Sequence, residues 1–284
     1  MATTGWGIVL MAGLISLSAA AEGVEPEALL RNAANAAREG KLAEATRLAT
    51  QAIEAAPREK EGYRLRAGLY AAAGEHKLAI GDYDELLKLD PRLADAYDQR
   101  GSQRFMLGQI KQSIEDFDKF IELKPQQEPS NWKRGISYYY AGRYDEGRRQ
   151  FEGYQTVDNN DVENAVWRFL CMARSVGLPE ARNAMLKIKQ DPRVPMMEIY
   201  ALYSGKAQTE DVLAAARAGS PTAEILNSRL FYAHLYLGLY AEAAGDSRRA
   251  REHIETAVSH KIGRYMWNVA QVHAQLLKSS AAAP

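Results

Sequence analysis

Pro57, Pro91 and Pro125 lie 34 residues apart, and Gly40, Gly74, Gly108 and Gly142 keep the same step. A chain punctuated at a fixed interval of this length builds one small unit several times. A single such unit cannot bury its own apolar face, so the copies must stack. The glycine ends a first helix, where a left-handed residue is wanted. The proline ends a second, because it has no N–H and clashes with the preceding turn. Each unit is therefore a helical hairpin, and the units follow one another as a solenoid.

Units start at Pro26, Lys60, Ala94 and Glu128. Their eighth position holds Ala33, Ala67, Gly101 and Gly135, and their twentieth Ala45, Ala79, Ser113 and Gly147. All eight residues are small, as two crossing helices require; overpacking such a site costs about 1–3 kcal/mol. Position 24 carries Ala49, Tyr83, Phe117 and Phe151, read as plugs between units.

With phase, small positions, glycine and proline in agreement, residues 26–161 resemble the tetratricopeptide-repeat (TPR) family over four consecutive units. The departures are Arg104 at a place that is usually aromatic, Trp132 one place late, and Asn159 instead of the last proline. The resemblance implies an all-α, right-handed solenoid of TPR-like hairpins, with the first helix of each pair lining a concave groove. It further implies a protein or peptide as partner. Carried over by position, the groove residues are Arg64, Asp98, Ser102 and Phe105 in units two and three, and Trp132, Ile136, Tyr139 and Tyr140 in unit four. Leu30 and Ala34 stand where some family members place the Lys and Asn of a carboxylate clamp, so that clamp is absent. Tyr138, Tyr139 and Tyr140 are consecutive and cannot share one face, so at least one packs inward.

Beyond residue 161 the pattern loosens. Residues 162–230 have room for two degenerate hairpins: two helices within 161–190 split at Gly177-Leu-Pro179, then a short pair over 196–218. The spacing returns at 231–263 through Gly238, Gly245, Ala250 and Ala257, with Asp246 as a candidate cap. A helix over 264–278 closes the stack, because the last repeat would otherwise leave an apolar face in water. Residues 279–284 read as a disordered tail. The last repeat and the N-terminus are also similar to bacterial envelope TPR adaptors, which hold cell-wall hydrolases near a protease.

The N-terminus reads as an export signal. Residues 5–17 are uncharged and mostly apolar, and Ala19-Ala-Ala21 offers a cleavage site before Glu22. Residues 1–21 are therefore set apart from the fold, which begins at 22. No cysteine stands at that junction for a lipid anchor, and the stretch is short for a transmembrane helix. The expectation is a periplasmic or extracellular protein with no stable membrane anchor after cleavage.

Lys+Arg and Asp+Glu both number 36. That balance gives no general attraction to nucleic acid. The single cysteine, Cys171, cannot form an internal disulfide and reads as a core thiol. The five histidines show no HExxH or Cys/His spacing; His253 and His260 share a face only by chance. Phosphate loops and nucleophile elbows are missing too. Glu115–Asp116 and Asp158–Asp161 read as solvated charges. No catalytic, cofactor or metal residues are assigned. The leading reading is a non-catalytic scaffold or adaptor. The alternatives are an accessory subunit of an envelope secretion or assembly system, and a module that stacks Trp and Tyr on glycan or peptidoglycan.

Overall fold

The computed structural model describes residues 25–281. The leader assigned to residues 1–21 lies outside them. Four hairpins come first: α1 Pro26–Arg38 with α2 Leu42–Ala55, α3 Lys60–Ala73 with α4 His76–Leu89, α5 Ala94–Met106 with α6 Ile110–Leu123, and α7 Trp132–Tyr140 with α8 Tyr144–Gly153. Each packs on the next in chain order, and α8 packs on α9, Val162–Val176. No strand occurs among the described residues. The architecture is an all-α solenoid.

The punctuation acts as its chemistry demands. Gly40, Gly74, Gly108 and Gly142 have φ of +76°, +78°, +71° and +71°. A Cβ on any of them would meet nothing within 4 Å, so backbone conformation alone requires glycine there. The crossing points are the opposite case. Ala33, Ala45, Ala67 and Ala79 are wholly buried, and a Cβ on Gly135 would sit 2.7 Å from Phe151 Cζ. Helices α2, α4 and α6 each stop two residues short of their proline.

A second periodic feature holds the stack together. Arg66, Arg100, Arg134 and Arg168 also recur at 34-residue steps. Each reaches forward into its own hairpin and back into the one before. Arg66 pairs with Asp82 at 2.7 Å and donates to Thr50 at 3.1 Å. Arg100 pairs with Asp116 and with Asp84, both at 2.6 Å. Arg134 pairs with Asp118 at 2.8 Å and donates to Gln150 at 3.2 Å. Arg168 pairs with Glu152 at 2.8 Å and donates to the Ala184 carbonyl at 2.6 Å. Asp116 is thus no solvated charge. It is 2% exposed, between Arg100 and Arg104. The same contact explains Arg104 at its atypical place, 2.9 Å from Asp116.

In the second half the partner of α9 is short, α10 Leu178–Asn183, and residues 184–195 form no helix. Helix was expected as far as residue 190. The Ala184 carbonyl, which a continuing helix would offer to the N–H of residue 188, is taken by Arg168. The Ile188 N–H goes instead to the Tyr200 hydroxyl. Then come α11 Met196–Tyr203, α12 Thr209–Arg217, α13 Ala223–Ala243 and α14 Ser247–Ser259. The last full hairpin starts at Ala223, not 231, where Thr222 accepts from the Ile225 N–H and caps α13. Its crossing is tight: a Cβ on Gly238 would lie 2.7 Å from Ile254. Asp246 caps α14 through the Arg249 N–H at 3.0 Å. The closing helix α15 runs Tyr265–Ala281, so 279–281 are helical where a disordered tail was expected.

Candidate functional site

Helix α15 does more than cover the end of the stack. It packs on α14 and also reaches back to α5, across the face formed by the first helices of the hairpins. Tyr265 stacks against Phe105 with centroids 5.8 Å apart, and meets Trp132 edge-on at 5.2 Å. One helical stretch further on, His273 meets the Tyr140 ring at 5.8 Å, and its Nδ1 is 3.1 Å from the Tyr140 hydroxyl. Burial pushes the Tyr140 and Tyr265 hydroxyls well up and the His273 imidazole down, which keeps all three neutral. Such a neutral, ring-on-ring contact suits a dry interface.

The eight expected groove residues therefore have different fates. Arg64 alone is exposed. Asp98 and Ser102 are tied by Lys133, at 2.5 Å and 3.2 Å. Phe105, Trp132 and Tyr140 lie under α15. Ile136 and Tyr139 belong to the core, where Tyr139 packs edge-on to Trp167 at 5.4 Å. The open aromatic groove in unit four is thus corrected: this chain's own last helix fills it. A signal for this lies in α15 itself. Met266, Val269, Ala270, Val272 and His273 are all buried, and Tyr265 and Trp267 partly so. That arc is too broad for a helix covered on one side.

No sequence-family model matches the chain, and no curated protein matches it. Solved structures do. A TPR protein from Parabacteroides merdae ATCC 43184 aligns at a TM-score of 0.55 over 91% of this chain and 86% of its own, with 21% identity. A MamA protein aligns at 0.54 over 69% of this chain and 97% of its own, with 18% identity.

The chain has the tetratricopeptide-repeat fold.

In this TPR chain the open part of the concave face is a channel of about 870 Å³ between α3, α5, the start of α7 and α15. Side-chain amides mark its walls: Gln99 and Gln103 from α5, and Asn268, Gln271 and Gln275 from α15. Gln103 is held by His76 at 2.8 Å. Lys133, Lys261 and Arg264 line the same channel, and no carboxylate does. Lys133 is spent on Asp98, and Lys261 lies over the Trp267 ring at 5.3 Å. Amides that both donate and accept suit an extended backbone, and Lys261 and Arg264, which have no acidic partner among the described residues, suit acidic side chains.

Among the described residues, no group of three or more His, Cys, Asp or Glu side chains is placed to hold a metal. His234 is 2.9 Å from His253 through their Nδ1 atoms and stacks on His260 at 6.1 Å. The sequence spacing of His253 and His260 thus missed the third member, which comes from α13. Burial pushes the Cys171 thiol up, leaving it inert in the core.

Proposed function

We propose that the chain is a non-catalytic protein-interaction scaffold, exported from the cytoplasm, whose channel holds an extended acidic peptide segment of its partner. The observation that carries this reading is the amide-lined channel with cations and no carboxylate on its wall. The fold alone hosts many functions, so the argument rests on this site. Export rests on the apolar stretch at residues 5–17 and the Ala19-Ala-Ala21 site. A mature N-terminus at Glu22 on the recovered protein is the expected result.

Fluorescence anisotropy with labelled acidic, neutral and basic peptides tests the channel. Acidic peptides bind best, and binding weakens with salt. Lys261→Glu lowers their affinity several-fold while the helical signal stays intact, because the Lys261 side chain is exposed. Equal binding of acidic and basic peptides, or an unchanged affinity in Lys261→Glu, refutes the reading.

A further inference from the structure

A second cavity of about 290 Å³, which shares Trp132, Arg264 and Tyr265 with the channel, lies among α7, α8, α9, the 184–195 segment, α13 and the start of α15. Its aromatic walls are Trp132, Phe151, Tyr154, Trp167, Tyr232 and Tyr265. Three lining residues each bury a polar atom with no hydrogen-bond partner among the described residues: Asn164 Oδ1, Trp167 Nε1 and the Tyr265 hydroxyl. Asn164 and Trp167 are 3% and 2% exposed. The Asn164 amide nitrogen already donates to the Phe151 carbonyl at 2.9 Å, so its oxygen is left to accept. The indole N–H can only donate, and the phenol can do either. Native interiors rarely leave such groups unpaired, and three around one cavity point to a ligand.

Apart from Arg264, exposed at the mouth, the charges at the rim are matched already. Arg193 contacts Asp161 at 2.6 Å, Glu163 at 2.7 Å and Asp191 at 2.5 Å. The other Glu163 oxygen accepts from the Tyr236 hydroxyl at 2.6 Å. Arg264 bonds the Tyr232 hydroxyl. A charged ligand finds no free counter-ion inside and must be desolvated to enter.

We propose that this cavity binds a neutral sugar ring, on the scale of a single monosaccharide unit. A hydroxyl donates and accepts at once. Neighbouring hydroxyls of one ring can therefore take the Trp167 N–H and give to Asn164 Oδ1, which stand one helical turn apart on α9. A third hydroxyl serves Tyr265. The C–H faces of the ring lie against the aromatic walls, which supply apolar area at low entropy cost. A carboxamide side chain of a peptide also donates and accepts, but it has no C–H ring face to lay against the aromatic walls. The volume sits at the low end of small-molecule pockets, which start near about 300 Å³.

The test is titration of the full chain with glucose and with N-acetylglucosamine, read by calorimetry and by tryptophan emission, since Trp132 and Trp167 line the site. Saturable binding of at least one sugar at millimolar concentration or below is expected. Trp167→Phe and Tyr265→Phe each weaken it about five- to tenfold, the worth of one lost hydrogen bond. Tyr265→Phe leaves the urea midpoint nearly unchanged, because the hydroxyl removed is unpaired in the fold; Trp167→Phe also removes buried ring volume and lowers the midpoint, so its affinity is read under conditions where it stays folded. Three outcomes overturn the proposal: no saturable signal with either sugar, an affinity unchanged in both variants, or tighter binding of N-acetylglutamine amide than of either sugar.

Discussion

Arg100→Gln is the sharpest test of how the hairpins are held in register. Arg100 spans two of them through Asp116 in its own and Asp84 in the one before. The Asp84 side chain is 41% exposed, so that arm is worth about 0–1 kcal/mol. The Asp116 side chain is 3% exposed, and stranding a buried charge costs about 3–5 kcal/mol. Arg104 remains 2.9 Å from Asp116 and places the loss at the lower end of that range. The expected total is about 3 kcal/mol. Repeats touch only their neighbours, so the loss is local rather than spread over the chain. Hydrogen exchange is the right assay: amides of α5 and α6 lose protection while those of α13 and α14 keep theirs. Adding Asp116→Asn removes the stranded charge and recovers about 1–2 kcal/mol relative to the sum of the single losses. Burial already holds the Asp116 carboxyl above its ordinary value, and Arg100 opposes that shift. Without Arg100 the carboxyl protonates more readily, so the damage shrinks as pH falls. A loss below about 0.5 kcal/mol, or strict additivity in the double variant, refutes the reasoning.

Two further outcomes follow from single positions. Gly135→Ala costs about 1–3 kcal/mol, because its Cβ meets Phe151 Cζ at 2.7 Å and Cε1 at 2.9 Å and the ring must shift from its packing. Gly68→Ala stabilises by about 1 kcal/mol, as it lies inside α3 with nothing within 4 Å; urea denaturation of the pair checks both signs. Burial, with His253 and His260 nearby, lowers the His234 imidazole to about 4, and His253 and His260 also titrate below their ordinary value. The unfolded chain takes up these protons near pH 6.5 and the folded chain only lower, so stability falls as pH drops from about 6.5 toward 4. Thermal melts at pH 7.5 and 5 show a drop that His234→Gln reduces; an equal drop in the variant ends the assignment.

The first four hairpins are readable because their constraints act at single positions. A left-handed glycine or a crossing-point alanine shows its reason in one residue type at one interval. The Arg66–Arg168 ladder has the same interval, but its meaning is relational. It emerges only when each arginine is matched to acceptors 16 residues to either side, and that match carries the stack into α9. Past α10 the interval fails because Arg168 ends the helix at Ala184 and the 184–195 segment packs through Tyr200 and Arg193 instead. The candidate site was half legible. Unit positions put Phe105, Trp132 and Tyr140 on one face, and the rings of α15 meet all three there. Nothing local in those residues says that a helix more than 120 residues later lies on them. The sugar-sized cavity was illegible for the same reason, since its walls come from six separate segments.

The position of α15 decides which partners the groove admits. A partner that docks a helix on Phe105, Trp132 and Tyr140 must first lift α15 away. That exposes Met266, Val269 and Val272, and uncovers Tyr265 and Phe105 as well. At about 1.5–3 kcal/mol for each large apolar side chain, the three aliphatic residues alone oppose release by about 6 kcal/mol. Such a ligand would need an intrinsic affinity about 10⁴-fold above the one observed. The channel beside α15 carries no such penalty, because its amide walls are open while the helix stays docked. Closing the solenoid and shaping the channel are therefore one structural act. The aromatic residues of unit four serve it by holding α15, whose own amides then become half of the channel.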